Sequence, residues 1–151
     1  MEVISQRICG GCTACCKTHA VLETNKPTGK WCKDCDIGKG CRIYPNHPNA
    51  CQNFECEWLK GFKEEAHHPD RIKIVMEYYT GGKIPKLFIL WEVSEGSIRG
   101  NFAKKMVSFA LENDIPVCLI YLSGEKKLLP GNVKLTEEII ASAIKQGIQI
   151  I

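Results

Sequence analysis

The chain has 151 residues and a net charge of +3, with Lys and Arg scattered rather than gathered into a stripe. That size suits one ordinary core or two small ones, and the dispersed charge offers no track for a phosphate backbone, so no nucleic-acid partner is evident. No window nears the roughly 20 apolar residues of a membrane span, and Met1 to Arg7 lacks the pattern of a secretory leader, so a cytoplasmic protein is expected.

Residues 1–60 are poor in periodic apolar pattern and rich in Cys, Gly, Pro and Asn. Such a stretch cannot bury enough hydrocarbon to offset its own ordering, and bound metal is the expected source of the missing stability. Lys60 to Pro69 is polar and reads as a junction, with His67 and His68 expected to be solvated.

From Arg71 the character changes. Ile72, Ile74, Met76 and Tyr78 alternate with Lys73, Val75, Glu77 and Tyr79, the period of a strand. Thr80 to Pro85 is a turn-like breaker, and Lys86 to Val93 reads as a second strand, apolar on both faces. Ile98, Phe102, Met106, Phe109 and Ala110 recur at helical spacing, with Ser97 placed to cap and Asn113 to stop the helix. Val117 to Leu122 suits an interior strand, and Lys127 to Leu135 a weaker one. Thr136 opens the last helix, whose first turn carries Glu137 and Glu138 at the positive end.

The expected class is α+β: an irregular, metal-nucleated cysteine-rich module over residues 1–60, then a ββαββα domain over 70–151 with a mostly antiparallel sheet. The two pieces should pack together, and a fragment beginning near Pro69 should fold alone.

Nine of the ten cysteines lie between Cys9 and Cys56; Cys118, inside an apolar strand, reads as a core thiol. Thiols so crowded in a reducing compartment point to metal or redox chemistry rather than disulfides. The first block is Cys9-Gly-Gly-Cys12-Thr-Ala-Cys15-Cys16; the second is Cys32, Cys35, Cys41, Cys51 and Cys56. Three cysteines at a pitch of three can hold one [4Fe–4S] cube and take a fourth ligand from afar. Gly10, Gly11 and Ala14 keep that loop thin enough for close approach. Cys32-x2-Cys35 equally suits half of a tetrahedral zinc site, completed by Cys51 and Cys56, or by His47. Charge points to bound cations with either metal. Residues 1–60 carry eight Lys and Arg against six Asp and Glu, so nine thiolates leave the segment strongly negative.

The order C-x2-C-x2-C-C, then a cysteine pair, then Cys41-Arg-Ile-Tyr44, Pro48, Cys51, Phe54 and Cys56 resembles the zinc- or iron-chelating CxxCxxCC domain of YkgJ-type bacterial proteins. The resemblance covers about the first 60 residues and implies metal chelation through these cysteines. The chain departs from that pattern at His47-Pro48, where members carry Arg-Pro.

The favoured function is metal binding by an iron–sulfur cluster, zinc or both, in a structural or electron-carrying accessory role, with a protein partner. The rivals are a zinc-stabilised interaction module and a metalloenzyme with a substrate site beside its cluster. No Ser/His/Asp set, phosphate-cradling loop or paired-carboxylate motif marks residues 70–151.

Overall fold

A computed structural model describes residues 7–151. The opening segment, read above as lacking a leader's pattern, lies outside the described residues up to Arg7.

The cysteine-rich part contains short pieces only: α1 (Ala14–Thr18), a two-stranded ribbon of β1 (Cys35–Asp36) and β2 (Gly40–Cys41), and α2 (Asn49–Gln52). After α3 (Pro69–Ile72) comes the body, with β3 (Ile74–Tyr79), β4 (Leu87–Glu92), α4 (Asn101–Glu112), β5 (Val117–Ile120), β6 (Lys126–Leu129), α5 (Glu137–Lys145) and β7 (Ile148–Ile150). The five body strands form one sheet in sequence order. It is mixed rather than mostly antiparallel: β3/β4 and β5/β6 run antiparallel, β4/β5 and β6/β7 parallel. The reason is that a helix between two neighbouring strands carries the chain back to the end where it started. α4 does this between β4 and β5, and α5 does it before β7, a strand beyond the expected ββαββα order.

Each face of the sheet has its own cover. On one side Ile74 and Met76 of β3, Phe88 and Leu90 of β4, and Val117 and Leu119 of β5 pack with Ile98, Ala103, Met106 and Ala110. Trp58, from the cysteine-rich segment, belongs to this same core. On the other side Val75 and Val93 meet Ala14, flanked by Cys12, Phe54, Cys56 and Trp91. Period-two alternation sends neighbours to opposite faces, so Val75 is as buried as Ile74 and Met76. The Cys-rich module therefore lies on the sheet, and Glu57 ties it there. Its N–H donates to the Met76 carbonyl at 2.8 Å, and its carboxylate accepts from the Tyr78 N–H at 2.9 Å.

Local details differ from the sequence reading in three places. Ser97 does not cap α4; it sits in a 3-10 turn with its hydroxyl on the Lys73 and Ser94 carbonyls, and Gly100 precedes the helix. The weaker strand expected over Lys127 to Leu135 is β6, which starts at Lys126 and ends before Pro130. Arg71 and Ile72 belong to α3, and Lys73 turns the chain into β3 with φ +59°. Asn113 does stop α4, donating to the Phe109 carbonyl, and the Thr136 hydroxyl accepts from the Ile139 N–H to cap α5.

Candidate metal centre

All ten cysteines are free thiols. Cys118 is buried in β5, and burial pushes its pKa up to about 11. The other nine lie in the cysteine-rich segment, and four of them line a hollow on the Val75 side of the sheet.

The first loop turns tightly, with the Cys12 N–H on the Cys9 carbonyl at 2.9 Å and Gly10 at φ +57°. Gly11 then passes so close to the β1–β2 turn that a Cβ there would stand 2.7 Å from the Gly38 carbonyl oxygen. Beside it the Gly38 N–H donates to the buried Thr13 hydroxyl at 3.0 Å. This seam joins the two cysteine blocks. Glycine is needed at position 11 because backbone meets backbone there.

One group of thiols follows. Cys9, Cys12, Cys15 and Cys56 line a single cavity walled by Phe54, Leu59 and Val75. Two of them already receive amide hydrogen bonds: Cys12 from Ala14, and Cys56 from Leu59 and Trp58. Such bonds favour thiolate over thiol. Burial wins nonetheless, raising the Cys9 and Cys56 pKa values and pushing Cys12 up to about 12, with Asp70, Cys9 and Cys56 adding repulsion at Cys12.

The remaining five thiols form a second group. The Cys16 thiol is hydrogen-bonded to Cys15 and Cys35, and the first of these bonds, followed by burial, pushes its pKa up strongly. The Cys32 N–H donates to the Cys16 carbonyl at 3.1 Å, the Cys35 N–H to the Cys32 carbonyl at 3.1 Å, and Cys35 faces Cys41 across the ribbon. Burial drives Cys35 up to about 12. Burial also raises Cys51, where the charges of Cys16, Cys32 and Cys41 add to the effect. Cys15 lines the first cavity and is hydrogen-bonded to Cys16, so the two groups meet at this adjacent pair. Cys56, which spacing alone could not assign, belongs with the first block.

Among the described residues, the only three metal-donor atoms lying within 4.8 Å of one another come from Cys12, His68 and Asp70. His68 was expected to be solvated linker. Instead its ring packs edge-on against Trp58 at 4.3 Å, and its Nδ1 accepts from the Asp70 N–H. His67 likewise packs against Phe102 at 4.6 Å. The polar run Glu64–Asp70 hid both contacts, because their partners lie elsewhere in sequence.

His19 is a packed side chain. It lies between Phe54 and Trp91, with ring centroids 4.2 and 4.1 Å away, and its Nε2 meets the Glu77 carboxylate at 3.2 Å. Burial pushes Glu77 up, but the His19 bond and charge, with the Trp91 N–H at 3.0 Å, outweigh it and lower its pKa. His47 stacks on Tyr44 with its Nδ1 buried.

Beside the first thiol group lies an open cavity of about 230 Å³. Lys17, Lys73, Asp70, Trp31 and Ser94 line it, and Ala14 is common to both hollows. Among the described residues no helix is long and apolar enough to cross a membrane. No protein-family model matches the chain, and comparisons with curated proteins and with solved structures find no match either.

Proposed function

We propose that the chain is a metal-binding protein with two thiolate centres: a [4Fe–4S] cluster on Cys9, Cys12, Cys15 and Cys56, and zinc held by Cys16, Cys32, Cys35, Cys41 and Cys51. The observation that carries this reading is the cavity that Cys9, Cys12, Cys15 and Cys56 line together. Around a cube each sulfur binds its own iron, and three cysteines at a pitch of three, as in the first block, can present their thiolates to one cube. Cys16 plays the part of the fourth cysteine of a two-cluster ferredoxin run, which serves the other centre. This is the chelation expected from the likeness to the CxxCxxCC domain.

The role that follows is structural or electron-carrying. When bound, a cluster supplies one-electron redox chemistry; this chain's residues bind it, exclude water and hydrogen-bond its sulfurs. Phe54, Leu59 and Val75 wall the cavity with hydrocarbon, and the amides of Ala14, Trp58 and Leu59 point at sulfur. Sulfur-directed amides and a dry wall are two of the means by which a protein sets a cluster's potential.

The test is the visible spectrum and elemental content of protein purified without oxygen. Brown protein that bleaches with dithionite, carrying about four irons and one or two zincs per chain, is the expected result. Colourless anaerobic protein with zinc alone sinks the iron assignment. Protein with neither metal sinks the whole reading.

The cavity of about 230 Å³ favours a second reading, a metalloenzyme with a small anionic substrate beside the cluster. Benzoate quenching of Trp31 fluorescence, lost in Lys73→Met, is its signature; fluorescence indifferent to benzoate removes it.

A further inference from the structure

The second thiol group contains a buried cation. Lys26 is only 7 % exposed, and a small hairpin puts it there. Val21 and Lys26 exchange both backbone hydrogen bonds, at 2.9 and 3.0 Å, and Asn25 closes the turn in the left-handed region at φ +53°. The Lys26 ammonium reaches back to the end of α1, donating to the Lys17 carbonyl at 2.7 Å and to the His19 carbonyl, just past the helix, at 2.5 Å. An ammonium has three donors, and among the described residues the third meets no protein oxygen. The thiols whose charge, once ionised, would act on it are Cys32, Cys16, Cys15 and Cys51. At the tip of the same hairpin the Glu23 carboxylate accepts from the Asn49 and Ala50 N–H groups, fixing the start of α2, which carries Cys51.

A buried ammonium is costly unless an anion or a full set of acceptors meets it. Two carbonyls satisfy it partly. Among the described residues no carboxylate pairs with it. A metal bound by four or five thiolates carries net negative charge, and that charge would complete it.

We propose that Lys26 is the fixed counter-charge of the second centre, a positioning residue that ligates nothing but strengthens metal binding by Cys16, Cys32, Cys35, Cys41 and Cys51. The inference rests on the two-centre reading above. Near a protein surface, one charge a few ångströms from a thiolate centre is worth tenfold or more in affinity.

The experiment uses the full-length, reduced protein with cadmium alone as the probe. Thiolate absorption under chelator competition gives the affinity, and alkylation followed by peptide mass spectrometry shows which cysteines are shielded. Lys26→Gln keeps amide donors for the two carbonyls but has no charge; Lys26→Arg keeps the charge. In Lys26→Gln and Lys26→Met the second group should bind about tenfold or more weakly, with Cys9, Cys12, Cys15 and Cys56 shielded as before. Lys26→Arg should stay within about twofold of the natural protein. If Lys26→Gln binds as tightly as the natural protein, the ammonium is only an anchor for α1 and the proposal is overturned. If the natural protein shields none of the five cysteines, the two-centre reading falls and this inference with it.

Discussion

Glu92 accepts three backbone N–H groups on one carboxylate, from Gly96, Ile98 and Leu122, at 3.1, 3.3 and 3.1 Å, while only 5 % exposed. It fixes the turn into α4 and the exit from β5 at once. Glu92→Ala leaves one buried and two part-buried donors unmet and should cost about 2–3 kcal/mol, read from urea unfolding; a change within about 0.5 kcal/mol means water satisfies them. The thiols allow a second prediction at this scale. A thiol whose pKa rises on folding keeps its proton in the fold after the unfolded chain has lost it. Its stabilisation is therefore complete below the ordinary value of 9.0 and is lost as pH climbs towards the folded value. For Cys12 and Cys35 that window runs from 9.0 to about 12. Metal-free protein should lower its urea midpoint steadily from pH 8.5 to 10.5, while metal-loaded protein, whose thiolates need no proton, should fail instead on the acid side. A metal-free midpoint that rises over that range contradicts the burial of these thiols.

Between the elements, the seam of Gly11, Thr13 and Gly38 is the most sensitive contact. Gly11→Ala pushes a Cβ into a backbone oxygen, so the loop and ribbon must part, and both thiol groups should lose metal together. Elemental analysis and far-ultraviolet circular dichroism of the variant check this; full loading would mean that the loops adjust freely. Periodicity identified β3, β4, α4, β5 and α5, because each is long enough to show its repeat. It missed β7, whose three residues Ile148–Ile150 follow Gly147 too briefly to show one. It also missed the parallel pairing of β4 with β5, although the helix between them was legible and implies it. The nine cysteines were plain from spacing, but their division was not. Cys56 joins Cys9, Cys12 and Cys15 through the cavity beside Val75, which spacing does not encode.

For the whole molecule, the expectation of a self-sufficient body needs revision. Trp58 stands in the core beside Ile74 and Phe88, and Ala14, Phe54 and Cys56 cover Val75 and Val93. A fragment starting at Pro69 lacks all four and opens one face of its sheet. We expect it to aggregate or to unfold without a cooperative transition; a sharp urea transition from that fragment would restore independence to the body. The same packing gives the sheet a lid that, on the proposed reading, is pinned by an inorganic part the ribosome does not provide. A newly made chain must then wait for delivery of that part with the Val75–Trp91 strip uncovered, in view of chaperones and proteases. Its survival in the cell becomes a measure of how promptly the metal arrives, so the amount of protein would track nutrient supply with no change in its gene's expression.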